Sequence, residues 1–295
     1  MSHFLLKLAP RPKDQTERRK IGAALVNMAR HDGSFRVSTD RATGEMVIWG
    51  TSEYQLHEFI TRLKQESGAD FDVDGLEIAY RETFIKKVNV DYAHDARSDG
   101  SRQFGRIKIA VSRGMRGGGI NFIDETDESV IPRRFIAAIE KGVREQAECG
   151  YLVGYPIRDF DVRLKGGAFD EEDSSAASFE MAGRGALREA ARKAGVKLLE
   201  PIMDLQVVTP EDCLEGVVAD LIDRRGRILA TEGHGSTRAV QARVPLARLS
   251  GYSNDLRART QDQAQYTMRY SHYDDAPLGW IAPDEPSPIA NALRA

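Results

Sequence analysis

The stretch Leu205-Gln206-Val207-Val208-Thr209-Pro210-Glu211-Asp212 decides how the chain is read. Its first four residues, three of them apolar and two β-branched, read as a strand. Thr209-Pro210-Glu211-Asp212 reads as a helix start, with a capping residue, a proline at the first helical position and acids in the first turn. Leu214, Val217, Val218, Leu221 and Ile222 recur at helical spacing and predict one apolar face, which Arg224-Arg225-Gly226 ends. Two strands follow over 227–232 and 237–244. A helix begins near 246–249, and Tyr266-Thr267-Met268-Arg269-Tyr270 closes the set. Strand, helix, strand, strand, helix, strand is the split βαβ layout of a ferredoxin-like sandwich.

The same order occupies the first 75 residues. Phe4–Leu8 is a short apolar run ended by Pro10 and Pro12, and Ile21, Leu25 and Met28 share a helical stripe. Phe35–Thr39 alternates, Thr43-Gly44 turns, and Met46–Trp49 returns. Ser52 with Gln55 three residues on is a capping box for a helix bearing Leu56, Phe59, Ile60 and Leu63, and Gly68 is its stop. The alternation in Asp70–Gly75 predicts the closing strand.

The middle is laid out differently. Extended segments cover 81–113 and 120–124. Pro132 opens a helix with Phe135, Ile136, Ile139, Val143 and Ala147 on one stripe, and Gly150 stops it. A strand over 159–164 and a helix over 179–194 follow. The expected class is α+β, with ferredoxin-like domains at 1–75 and 200–276 flanking an α/β domain at 76–199. Residues 277–295, rich in proline, read as a tail.

Of 295 residues, 41% are hydrophobic and 29% charged, which excludes a wholly disordered chain. No apolar run reaches the roughly 18 residues of a membrane helix, and the first residues do not read as a secretory leader. Cys149 and Cys213 lie far apart without a CxxC, which excludes a disulfide framework and fits a reducing cytoplasm. A net charge of −3 gives no global attraction to nucleic acid, so any such contact must be local. Residues 81–116 hold nine Lys/Arg against four Asp/Glu. Residues 117–180 hold seven against fourteen, and residues 236–269 six against two. Phosphate contacts are therefore expected in the first and third stretches.

No catalytic or metal constellation emerges. Asp70-x-Asp72-x-Asp74-Gly75 starts like a calcium loop, but its twelfth position is Arg81, where a glutamate is needed. Gly114–Gly119 is glycine-rich without the Lys-Ser/Thr that completes a phosphate-binding loop. The six histidines lack ligand spacing, and Ser174-Ser175 has no histidine nearby in sequence. Residues 102–109 echo an RNA-stacking strand, but Arg106 and Ile109 stand where aromatics would be.

Ala79-Tyr80-Arg81-Glu82-Thr83, Lys141-Gly142-Val143, Gly150-Tyr151-Leu152-Val153-Gly154-Tyr155-Pro156, Val162-Arg163-Leu164, Asp173-Ser174-Ser175 and Phe179 together resemble the fourth domain of elongation factor G, the translocation GTPase. Glu200-Pro201-Ile202-Met203, Thr209–Asp212, Arg224–Leu229, Val244-Pro245-Leu246, Gly251-Tyr252 and Asp255-Leu256-Arg257 resemble its fifth. Ser34–Val37, Glu53 and Arg62-Leu63 resemble its third. The likeness runs collinearly from about Phe4 to Pro277, with no counterpart to the GTPase half.

The resemblance implies ferredoxin-like third and fifth domains and a ribosomal-protein-like fourth domain that serves as an arm. It implies the ribosome as partner, through its RNA, its proteins and the tRNA–mRNA at the decoding region. No cofactor is implied for this chain, because GTP and magnesium belong to a GTPase domain acting in cis or in trans. One tip loop is then Arg97-Ser98-Asp99-Gly100-Ser101-Arg102-Gln103. The other is Phe169-Asp170-Glu171-Glu172-Asp173-Ser174-Ser175, and a shorter third lies near 115–119. Lys86, Lys87, Arg106 and Arg238 are further expected RNA contacts. The family's glycine-arginine-glycine-glutamine is Gly100-Ser101-Arg102-Gln103 here, its second-loop histidine is Asp170, and its glycine-glutamate-leucine-histidine is Ser52-Glu53-Tyr54-Gln55. Four consecutive acids at one tip should weaken its approach to RNA phosphates. The altered loops leave two alternatives: a ribosome-recycling or tetracycline-protection relative, and a degenerate paralogue that binds a protein partner.

Overall fold

A computed structural model describes residues 4–33, 35–39, 44–98 and 101–277. Expectations that fall on Ser34, Thr43, Asp99, Gly100 and 278–295 lie outside the described residues. The chain divides into two compact units. One holds the residues up to Ala79 together with Pro201–Ser271, and the other holds Tyr80–Glu200 together with His272 onward.

The N-terminal segment comprises β1 (Leu6–Leu8), β2 (Pro10–Arg11), α1 (Gln15–His31), β3 (Arg36–Thr39), β4 (Met46–Gly50), α2 (Glu53–Ser67), β5 (Asp72–Val73) and β6 (Glu77–Ile78). Its antiparallel sheet has the order β3-β4-β1-β6, the ferredoxin-like arrangement. Ile21, Leu25 and Met28 of α1 and Leu56, Phe59, Ile60 and Leu63 of α2 are buried, as their spacing predicts. The Ser52 hydroxyl accepts the Gln55 N–H at 3.3 Å, but the Gln55 side chain takes the Thr51 hydroxyl instead of closing the reciprocal box. Gly68 ends α2 in the left-handed region. The closing strand is displaced from its expected place. Asp72–Val73 pairs with Pro10–Arg11 in a separate two-stranded ladder, and Glu77–Ile78 completes the sheet.

The middle segment comprises β7 (Arg81–Phe84), β8 (Val88–Ser98), β9 (Ser101–Arg113), β10 (Ile120–Asp124), α3 (Ile136–Cys149), β11 (Phe160–Ala168) and α4 (Ala176–Ala194). The sheet order is β10-β11-β9-β8. β10 and β11 run parallel, which requires the crossover that α3 supplies, and the remaining pairs are antiparallel. Both helices bury apolar stripes on the sheet, joining Phe135, Ile139, Val143, Phe179 and Leu187 to Ile107, Ile109, Phe160 and Val162 in one core.

The last segment comprises β12 (Val196–Pro210), α5 (Leu214–Asp223), β13 (Arg227–His234), β14 (Thr237–Pro245), α6 (Tyr252–Thr260) and β15 (Gln265–Asp275). Its order β13-β14-β12-β15 repeats the ferredoxin-like arrangement, and β7 adds to β12 through Arg81–Phe84. Here the expected helix start is corrected. Ladder pairing continues to Pro210, Glu211–Cys213 is a 3-10 turn, and the helix proper opens at Leu214 without a side-chain cap. The sheet outcompetes the local capping signal, because each further ladder residue satisfies a backbone pair. Ile222 is exposed; Asp220 takes a buried place beside Val217 and Leu221, where Arg224 pairs with it at 2.9 Å.

Candidate nucleic-acid interface

β8 and β9 form a long hairpin whose last described pair is Ser98 with Ser101. Loop 169–175 leaves β11 at the same end, because Ala168 is registered with Arg106 of β9. The two loops are joined by backbone. Phe104 N–H donates to Asp173 O at 2.9 Å, and the hydroxyls of Ser174 and Ser178 both donate to Phe104 O at 2.8 Å. Ser175 caps α4 through a complete capping box with Ser178, which fixes where the loop ends.

The four acids of loop 169–175 do not act alike. One Asp170 carboxylate oxygen accepts the N–H groups of Glu172 at 2.9 Å and Asp173 at 3.0 Å, and Asp170 N–H donates to the Ser174 hydroxyl. These backbone donors hold the Asp170 carboxyl below the ordinary carboxylate range. Asp173 lies 3.4 Å from Arg102 Nη1. Of the four, Glu171 and Glu172 are exposed, whereas Asp170 and Asp173 are half-buried. Half of the acidic run is therefore already engaged, Asp170 within the loop and Asp173 with the hairpin.

Arg102 grips Asp95 across the hairpin in bidentate fashion, with Nε at 2.9 Å and Nη2 at 2.7 Å. That fork holds the Asp95 carboxyl low and its own guanidinium high. Arg106 grips Asp91 in the same way at 2.8 and 2.7 Å, with Lys108 at 3.8 Å from that carboxylate. Arg238 is paired with Glu211 at 2.5 Å. Arg97, Lys86 and Lys87 are exposed and enter no ion pair among the described residues. Of the cations expected to meet RNA, Arg97 stands at the hairpin end, registered with Arg102, whereas Lys86 and Lys87 stand where β8 begins.

The third loop expected at this end, 115–119, belongs to the other. It follows Arg113, so the 13 residues of β9, about 40 Å of strand, separate it from the hairpin turn. It is held by Asp159, whose buried carboxylate accepts the N–H groups of Gly117 at 2.9 Å and Gly119 at 3.0 Å. A second buried carboxylate, Glu82, accepts the N–H groups of Tyr151 at 2.7 Å, Leu152 at 2.9 Å and Val153 at 2.8 Å. Among the described residues, no group of three or more His, Cys, Asp or Glu could hold a metal.

Three family descriptions match in sequence along the chain: elongation factor G domain III over residues 1–75, domain IV over 76–195, and the elongation factor G C-terminus over 197–280. The chain belongs to the elongation factor G family. Elongation factor G of Cereibacter sphaeroides strain KD131, and that of strain ATCC 17023, are each 38% identical to it over 273 residues, 92% of this chain. The chain spans 39% of the length of these relatives. A crystal structure from Thermus thermophilus matches with a TM-score of 0.74 and 32% identity, over 92% of this chain and 41% of that one.

Within this elongation factor G framework, the hairpin and loop 169–175 fall in the domain IV match. Sequence reading picked both loops but missed Phe104, whose backbone joins them, and Asp159 and Glu82, which hold the connecting loops. Glu82 lies in the Ala79–Thr83 stretch and Asp159 opens an expected strand, but nothing local marks either as the anchor of a loop far along the chain.

Proposed function

We propose that this chain is the ribosome-binding part of an elongation factor G-like translation factor, acting in the cytoplasm as arm and lever in tRNA–mRNA movement. The observation that carries the reading is the collinear match to domains III, IV and the C-terminus across residues 1–280. The hairpin and loop 169–175 support it, because they combine an exposed cation that enters no ion pair among the described residues, Arg97, with a hydrogen-bonded frame at one end of a long sheet. On this reading the working parts are 1–75, 76–199 and 200–276. Residues 97–103 and 169–175 meet RNA at the decoding region, and no bond is made or broken in this chain. The driving energy comes from a GTPase domain, in cis or in trans, where GTP and magnesium act.

Cosedimentation of the purified chain with 70S ribosomes across a salt series tests the reading. The expected result is association at low ionic strength, with log affinity falling linearly against log salt. Absence of association at the lowest salt overturns it.

A further inference from the structure

We propose that Arg102 is a positioning residue that binds the hairpin and loop 169–175 into one rigid end, and that it is not a phosphate contact. The inference rests on the ribosome-binding reading for its consequence, but not for its geometry. The Arg102 fork is consumed within the protein. Nε and Nη2 take both oxygens of Asp95 on the facing strand, and Nη1 reaches Asp173 of the loop at 3.4 Å. The guanidinium also lies 5.2 Å from the centre of the Phe104 ring, and Phe104 is the residue whose backbone accepts Ser174 and Ser178 and donates to Asp173. One side chain thus touches every component of the junction: the facing strand, its own strand and the loop.

Arg102 and Asp173 are 71 residues apart, so their pairing adds a second long-range contact to the bonds that Phe104 makes with the loop. A phosphate approaching Arg102 would have to displace the Asp95 carboxylate from a filled bidentate fork and compete with Asp173 at Nη1. Arg97, registered directly opposite Arg102, acts on Asp95 only as a nearby charge and enters no ion pair among the described residues. The two arginines of the hairpin end therefore divide the work: Arg102 sets the loop, and Arg97 is left exposed without an ion pair among the described residues.

Amide hydrogen exchange on the whole chain, read at Glu172, Asp173 and Ser174, tests the positioning role without the ribosome. Arg102→Lys keeps the charge but cannot form the fork, so it is expected to speed exchange several-fold. Asp173→Asn is expected to do the same, and the double variant no more than either single one. Ribosome affinity across salt separates positioning from contact. Arg102→Met is expected to lower affinity with the salt slope of the parent, and Arg102→Lys not to restore it. Unchanged exchange in either single variant overturns the proposal. So does a slope reduced by about 0.7–0.9 in Arg102→Met, or full rescue of affinity by lysine. If the parent chain fails to bind ribosomes, the functional reading falls, and the exchange arm still decides the role of Arg102.

Discussion

Gly142 of α3 and Gly183 of α4 mark the crossing of the two helices, and neither position has room for a methyl group. A Cβ on Gly142 would lie 2.1 Å from the carbonyl oxygen of Glu180, and one on Gly183 would lie 2.5 Å from that of Ile139. Both obstacles are helix backbone, which cannot step aside as a side-chain end can. Gly142→Ala is therefore expected to destabilise the domain by about 1–3 kcal/mol or more through overpacking, despite alanine's better helix propensity. Gly183→Ala should behave alike. Because the two share one crossing, the double variant should fall short of the sum of the singles. Urea unfolding followed by circular dichroism measures all three, and an unchanged midpoint for Gly142→Ala would refute the close crossing.

Glu82 carries a second prediction. Its carboxylate is fully buried and meets the N–H groups of Tyr151, Leu152 and Val153. Burial raises its proton affinity, and the backbone donors oppose that shift in part. Glu82→Gln would set an amide NH2 against those donors and is expected to cost about 1–3 kcal/mol, the penalty for buried groups left without partners. The sign of the pH effect follows from the raised value. The folded chain binds this proton more readily than the unfolded one. The group's stabilising contribution is thus fully present below the ordinary glutamate pKa of 4.5 and is lost as pH rises through the raised folded value. The difference in unfolding free energy between parent and Glu82→Gln, followed from pH 4 to 8, should therefore shrink as pH rises.

The elements legible in the sequence are those whose burial follows a helical or alternating period. The stripes Ile21–Leu25–Met28 and Ile139–Val143–Ala147 report directly which face meets a sheet. The fourth strand of the first sheet was not legible. Phe71 and Val73 alternate like a strand, yet Val73 is 42% exposed on a two-residue ladder, and the true edge, Glu77–Ile78, is too short to carry a period. Thr209 gave a sound local cap signal that lost to nonlocal pairing with Arg238. The candidate site divides along the same line. Loop positions could be read from the chain, and the turn at Asp170 is local to its loop, but the pairing of Arg102 with Asp173, 71 residues on, is a matter of tertiary geometry. Charge composition could not say which acids face inward.

Arg97 and Arg106 should separate in their salt dependence. Arg97 is exposed without an ion pair among the described residues, whereas the Arg106 fork is filled by Asp91. In ribosome binding, Arg97→Met is expected to reduce the slope of log affinity against log salt by about 0.7–0.9, the loss of one phosphate contact. Arg106→Met should leave the slope near that of the parent. Equal slopes for parent and Arg97→Met would remove Arg97 from the interface.

Asp170 is expected to act as the latch of its loop and not as a repulsive charge. Its carboxylate accepts two successive backbone N–H groups, and those bonds depress its pKa below the ordinary 3.8. A depressed carboxylate stabilises the loop above the ordinary value, and that contribution is lost as pH falls through the folded value. The amide resonances of Glu172 and Asp173 should therefore titrate together below pH 3.8, with the midpoint of Asp170. Asp170→Asn keeps an acceptor oxygen and should preserve both amide positions at neutral pH, whereas Asp170→Ala should lose them. Asp170→His removes the negative charge and the oxygen acceptor together, so tighter ribosome binding by this variant with the loop amides still protected would show repulsion to be the larger effect. Weaker binding with those amides exposed is the expected outcome, because an Asx-type turn that places Asp173 within reach of Arg102 is lost along with the charge.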